Sequence, residues 1–218
     1  MTTTFALITE GITDQVVLKA ILEGHYRASA ADVDVVNYQP ARDETDASRQ
    51  GEQAGWERVL DACSKPDVVR RALAFNDYLI VQIDTDVGEE KSFGITLTEN
   101  GQALDVDAVL ASTRAVIQNR FGALWHEVSD KVLFAICVHS LECWLLVEHG
   151  QAGKNSATMN CCKRLERELQ RANRVLSKDY RCYTELAAPL RKPRTLTKIA
   201  ETDTSFRAFI NGLPQLPA

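Results

Sequence analysis

The sequence predicts an α/β protein: a mainly parallel sheet with helices on both faces, followed by a helical, basic C-terminal segment. Three observations carry this reading. Short apolar runs alternate with stretches of helical spacing over the first two-thirds of the chain. Three of those runs end directly beside acidic residues, at Glu10, at Asp84 and Asp86, and close to Glu142. Beyond about residue 150 the pattern changes to helical spacing with many cations.

The elements follow in order. Phe5 to Thr9 is an apolar run closed by Glu10-Gly11, as expected of a buried first strand. Thr13 or Asp14 can cap the next helix, whose Val17, Leu18, Ile21 and Leu22 share one face. Val33 to Tyr38 predicts a second strand, and the polar stretch from Gln39 to Gly55 predicts a loop. Two short helices are expected at Trp56–Cys63 and Pro66–Phe75, with Pro66 suited to a first turn. Tyr78 to Ile83 is the clearest buried strand and runs into Asp84-Thr85-Asp86. A polar loop from Val87 to Gly101, a helix from Val106 to Phe121 and a strand from Val132 to Val138 come next, and the last leads into His139-Ser-Leu-Glu-Cys-Trp144. Strands alternating with helices imply a Rossmann-like sheet, in which ligands sit outside the carboxyl ends of the strands. From Cys162 to Lys178 one helix is expected, with Leu165, Leu169, Ala172 and Leu176 inward. Lys163, Arg167, Arg171, Arg174 and Lys178 then form a cationic stripe within an arc of about 80°.

At 218 residues, 45% hydrophobic and 25% charged, the chain has enough apolar material for a real core. It has no run near the ~20 apolar residues that span a bilayer, and its start lacks the basic region of a signal peptide, so no membrane contact and a cytoplasmic address are expected. The net charge of −5 is unevenly spread: Lys154 to Lys198 holds twelve Lys or Arg against four Asp or Glu, leaving the rest strongly acidic. None of the six cysteines forms a C-x-x-C pair, and reduced, buried or incidental thiols are expected, with His139 between Cys137 and Cys143 expected to be structural. Trp144 reads as core.

A D-x-D at a strand end suits Mg²⁺ or Mn²⁺. The strand sends Asp84 and Asp86 to the same side, and a hard ion needs only one or two carboxylates besides water and substrate oxygens. Glu10, from a neighbouring strand end, can join the ligands or handle a proton, and Glu142 also follows a strand end. Each has a plainer reading: Glu10 and Glu142 complement helix N-termini, and Asp84 and Asp86 are ordinary turn residues. A second basic cluster, Arg191, Lys192, Arg194 and Lys198, surrounds Pro193, and Lys198 is the candidate for stabilising phosphate charge.

Glu10-Gly11 after a strand, Thr13-Asp14 opening a helix, Asp84-Thr85-Asp86-Val87-Gly88 after a second strand, and Glu142-Cys143-Trp144 together resemble the Toprim domain. That domain occurs in topoisomerases, bacterial primases and OLD-family nucleases, and the likeness extends to small stand-alone Toprim-like proteins, several tied to phage defence. It covers roughly residues 4 to 148. The resemblance implies a metal-binding domain over 1–149 with an insertion at about 39–75, and a basic helical extension over 150–218. It implies a Mg²⁺- or Mn²⁺-dependent nuclease acting on DNA or RNA, with Glu10, Asp84 and Asp86 catalytic and, with Glu142 as a further ligand, a metal set of Glu10, Asp84, Asp86 and Glu142. Outside the span of the likeness, charge and helical spacing add Lys198 as a catalytic cation and the stripe Lys163, Arg167, Arg171, Arg174 and Lys178 as the nucleic-acid-binding face. Unlike the OLD proteins the sequence shows no ATPase motif, so any such activity comes from a partner ATPase or defence-system protein or is absent. The alternatives are a non-catalytic binding module of the same fold and a HAD-like phosphatase, whose D-x-D usually lies on the first strand.

Overall fold

In the computed structural model, residues 2–40, 55–150 and 159–216 are described. The polar stretch read as a loop falls almost wholly on residues 41–54, outside them. The chain runs β1 (Thr3–Ile8), α1 (Ile12–Tyr26), β2 (Val33–Gln39), α2 (Gly55–Cys63), α3 (Pro66–Phe75) and β3 (Tyr78–Asp84). A small hairpin, β4 (Thr98–Glu99) and β5 (Gln102–Ala103), precedes α4 (Val106–Phe121), α5 (Trp125–Val128) and β6 (Val132–Cys137). Five helices follow: α6 (Leu141–His149), α7 (Cys161–Arg171), α8 (Tyr180–Ala187), α9 (Pro193–Thr202) and α10 (Thr204–Gly212).

The four long strands form one sheet in the order β2-β1-β3-β6, every pair parallel. From β1 the chain steps outward to β2, then returns past β1 to β3. Right-handed crossovers in opposite directions put their helices on opposite faces, and the side chains obey. Phe5, Leu7, Ile80, Ala135 and Cys137 face the core shared with α1 and α6 to α10. Ala6, Ile8, Leu79, Val81, Ile83 and Ile136 face the core shared with α2 to α5. The two-residue alternation of the strands thus sorts the helices into two layers. The reversal of direction between β1 and β3 opens a crevice at their carboxyl ends.

The basic C-terminal segment belongs to the first of these layers: Leu165, Leu169, Tyr183, Leu186, Leu190, Leu196, Ile199, Phe206 and Phe209 pack in one cluster with α1 and the sheet. Trp144 is fully buried, as expected. It stacks on Phe209, meets Phe206 edge-on, and donates its indole N–H to Ser205 Oγ at 2.8 Å.

Several expectations are corrected. The loop expected at Val87–Gly101 contains the β4–β5 hairpin, whose turn residues Asn100 and Gly101 both have positive φ, as an Asn-Gly turn requires. Helix α1 starts at Ile12, so Asp14 sits in its first turn instead of capping from outside, and its carboxylate accepts from Gly11 N at 2.8 Å. The basic helix stops at Arg171, well short of Lys178. Asn173 takes the left-handed conformation, Asn173 N donates to Gln170 O and Arg174 N to Leu169 O, a Schellman ending that satisfies the last carbonyls. Arg174 and Lys178 therefore lie off the helix that carries Lys163, Arg167 and Arg171.

The cysteines also depart from expectation. A disulfide joins Cys143 of α6 to Cys161 of α7, while Cys63, Cys137, Cys162 and Cys182 are free thiols. The pairing depends on how α6 and α7 pack, which spacing along the chain does not encode. Cys63 and Cys137 are buried, and burial pushes the Cys63 thiol up to about 12, so both are inert.

Gly24 tests the packing of the C-terminal layer on α1. A Cβ there would lie 2.0 Å from the Leu190 carbonyl oxygen and 3.1 Å from Arg191 backbone carbon. Glycine to alanine inside a helix normally adds stability. Here Gly24→Ala is expected to cost about 1–3 kcal/mol in urea unfolding through overpacking, and a gain would contradict this close approach. The disulfide is checked by thiol titration of the denatured protein: four reactive thiols before reduction, where six would remove the bond.

Candidate active site

The C-terminal ends of β1, β3 and β6 lie side by side, and their last residues are tied together by side chains. Gln82 is wholly buried near the end of β3. Its Oε1 accepts from Glu10 N at 3.1 Å, and its Nε2 donates to Asp84 Oδ1 at 2.9 Å. Glu10 returns the connection, its Oε1 accepting from Asp84 N at 2.7 Å. Asp84 Oδ1 also accepts from Leu141 N at 3.1 Å, so the β3 carboxylate satisfies an orphan amide at the start of α6. After Asp84 the chain is held by the turn beyond β6: His139 O accepts from Thr85 N at 2.7 Å and from Asp86 N at 3.0 Å.

Two further carboxylates stand behind these. Asp14 and Glu142 are both buried, in the first turns of α1 and α6. Glu142 Oε1 accepts from the Tyr183 hydroxyl, and Lys178 Nζ lies 3.9 Å from the same oxygen. Asp86 is exposed at the mouth; Glu10 and Asp84 keep part of their surface. Around Glu10 the fit is close, since a Cβ on Gly55, at the start of α2, would lie 3.0 Å from Glu10 Cβ and 3.2 Å from its Oε2.

Five carboxylates in one crevice interact strongly. Burial above all pushes Glu10 up to about 8. The Asp84 amide works against this, and Asp14, Asp86 and Glu142 add to it. Burial, then the charge of Glu142, pushes Asp14 up to about 7. Asp84 is held well above its ordinary range by burial and by Glu10, Asp14, Glu142 and Asp86. Asp86 is raised by burial and Glu142, with Lys178 and His139 pulling the other way. For Lys178 burial opposes the charge, but Glu142, Cys162, Asp84 and Asp14 outweigh it and hold the ammonium above its usual value.

Of the residues expected from the sequence, Glu10, Asp84, Asp86 and Glu142 meet here. Lys198 does not: it pairs with Glu148 at 3.0 Å, in the last turn of α6, six residues and about 9 Å along the axis from Glu142. The cation at the site is Lys178, which the stripe reading had placed elsewhere. Lys163, Arg167 and Arg171 are exposed on α7, with Arg171 paired to Glu168 at 2.6 Å; Arg174 is exposed beyond it. Asp14, Gln82 and Tyr183 were missed. Gln82 did leave a signal, as a polar residue inside an otherwise apolar strand, on the same side as Asp84.

The donors are all oxygens, suiting a hard dication. Among the described residues no three His, Cys, Asp or Glu side chains form a ready-made ligand shell. The carboxylates are instead aimed partly at backbone amides. Mg²⁺ keeps several of its waters and needs only one or two carboxylates, so this donor set fits such an ion without a closed cage. Comparison with protein-family models, with curated proteins and with solved structures finds no match for this chain. No helix among the described residues is long and apolar enough to cross a membrane.

The raised carboxylates fix the sign of a pH effect. Their folded values exceed their unfolded ones, so the folded chain binds more protons than the unfolded chain between about pH 4 and about pH 8. In chelator, the stability they contribute is full at the acid end and is lost as pH rises through about 7 to 8. Asp84→Asn keeps an oxygen for Leu141 N and Gln82 while removing one charge. It is expected to stabilise the chelated protein by about 1–2 kcal/mol at pH 8, with little gain at pH 5. Thermal melts of both proteins at the two pH values read this, and an equal effect at both would refute the charge argument.

Proposed function

We propose that the protein is a metal-dependent nuclease that hydrolyses phosphodiester bonds at the crevice between β1 and β3. The observation that supports it most is the concentration of carboxylates, two buried, two half-buried and one exposed, beside Lys178 at a sheet switch point. Such a site holds excess negative charge that a dication relieves, and catalytic residues gather where pKa values are pushed from their normal range. Mg²⁺ or Mn²⁺ bound there would polarise the phosphate and lower the pKa of a water.

In this reading Asp84 and Asp86 are the principal ligands. Asp84 has one oxygen committed to Gln82 and Leu141 N, leaving the other for the ion; Asp86, at the mouth, meets ion and substrate together. Glu10 has one oxygen on the Asp84 amide and one facing the start of α2, a position from which it would take a proton from water and return it to the leaving oxygen. Glu142, anchored by Tyr183, holds Lys178 at the site, where the ammonium stabilises charge on the phosphate. Lys163, Arg167 and Arg171 on α7 extend the path for the backbone. The Toprim likeness of the motifs supports the same reading, including a partner ATPase or defence-system protein, and the absence of a signal-peptide pattern at the start of the sequence accords with a cytoplasmic setting.

A second reading is favoured by one observation: without a ready-made ligand shell among the described residues, a non-catalytic module of the same fold would bind nucleic acid through the basic segment alone. One experiment separates these. Purified protein is incubated with plasmid, linear DNA and tRNA in Mn²⁺ or Mg²⁺, and with p-nitrophenyl phosphate for the phosphatase alternative. Cleavage of a polymer is expected, absent in EDTA and in Asp84→Ala, and slowed on the order of 100-fold in Lys178→Ala. Lys198→Ala is expected to cleave like the wild type. Polymer binding without any cleavage, and without metal uptake by calorimetry, would favour the module.

A further inference from the structure

A second cavity, of about 320 Å³, opens between α1 and the C-terminal half of β2. Ile12 and Val16 give it an apolar wall, Gln15, Lys19 and Asn37 give polar groups, and Tyr180 contributes a ring that is about half exposed. Ile12, Gln15, Val16 and Lys19 recur at helical spacing, so they form one stripe of α1. The cavity adjoins the carboxylates by two routes. Ile12 follows Glu10-Gly11 directly, and Tyr180 stands two residues after Lys178, a reach of about 7 Å of chain. Lys178 itself is 3.9 Å from Glu142.

We infer that this cavity receives one unpaired nucleobase of a single-stranded nucleic acid, setting its neighbouring phosphate at Lys178 and the carboxylates. The inference rests on the nuclease reading for the second half of that statement; the base site itself does not need it. The lining selects the occupant. An aromatic ring beside an aliphatic wall suits a flat π-system, and stacking on tyrosine tolerates any base. Asn37 offers an amide donor and an amide acceptor and has no side-chain partner among the described residues. Gln15 gives its N–H to Pro40 O at 2.8 Å, which leaves its own oxygen as an acceptor. A purely aliphatic ligand would bury these groups without partners, at a cost an edge of a base avoids. Lys19, exposed and without an ion pair among the described residues, suits a flanking phosphate. A base in a duplex is stacked and paired, so it reaches such a cavity only after being extruded. Single-stranded substrate is therefore preferred.

The test is the affinity of a fluorescein-labelled single-stranded oligonucleotide for the full chain in the Asp84→Asn background with Mg²⁺. Adding Tyr180→Ala is expected to weaken binding roughly 5- to 100-fold, and Tyr180→Phe to restore it. Lys19→Glu, on the α1 wall of the same cavity, is expected to weaken it as well. Matched thermal melts confirm that each variant folds. An abasic oligonucleotide and the matching duplex are both expected to bind more weakly than the intact strand. Unchanged affinity in Tyr180→Ala, or equal competition by the duplex, overturns the base site. Magnesium uptake by the wild type is read separately. Loss of strand binding in Tyr180→Ala without any cleavage by the wild type keeps the base site and removes hydrolysis. Cleavage that is indifferent to Tyr180 does the reverse.

Discussion

The ends of two adjacent parallel strands leave amides that must find partners away from water, and at β1 and β3 those partners are supplied by carboxylates and one buried amide. Glu10 N goes to Gln82, Asp84 N goes to Glu10, and Leu141 N goes to Asp84. Neutral groups could close the same bonds. With carboxylates, the backbone is satisfied by placing negative charge in a half-dry crevice, where Asp14 and Glu142 already stand. The position of every other group at the site follows from that choice. Helices α1 and α6 begin here, their positive ends facing the charge, and the crossing of the chain between β1 and β3 keeps the space between them open.

The same constraint explains why the C-terminal segment folds back over α1. Its helices bury apolar stripes against α1, α6 and the first sheet face, and the connection between α7 and α8 is carried across the acidic crevice. Lys178 and Tyr183 both reach Glu142 from that side, one as a cation and one as a hydroxyl donor. The charge asymmetry of the sequence is therefore partly resolved inside the fold. One cation of the basic segment is assigned to the acidic body, and Arg191 is matched likewise to Glu23 of α1. Lys163 and Arg167 of α7 and Arg174 beyond it remain exposed.

How much of this was legible depended on the range of each signal. The parallel sheet and its acidic strand ends were readable because burial on both faces produces uninterrupted apolar runs, and the next residue marks the end of the strand. Lys178 departs from its expected helix because Asn173 takes a left-handed ending, which helical periodicity alone does not mark although asparagine adopts it readily. The assignment of Lys198 failed for another reason: which turn of α6 a lysine from α9 meets is a matter of tertiary packing. The Cys143–Cys161 bond belongs to the same class. Asp14 was visible only as a capping residue, since four residues of sequence do not reveal that Glu142, far along the chain, shares its space.

The site's chemistry comes down to what balances its negative charge. Among the described residues Lys178 is the lysine beside these five carboxylates, and one ammonium does not neutralise five, so protons or another cation are needed to balance the remaining charge. Protons suffice to keep the fold, because the raised values of Glu10 and Asp14 let both bind near neutrality. A dication would displace those protons, free Glu10 to act as a base, and give Asp84 and Asp86 a common partner. The two states use the same backbone hydrogen bonds, since Glu10 and Asp84 each hold an amide through one oxygen and leave the other for proton or metal. Exchange between them therefore needs no rearrangement of the strands. Under the proposed nuclease reading, that is the property expected of a site that would take up a dication together with an anionic substrate, whose phosphate oxygens would complete the shell.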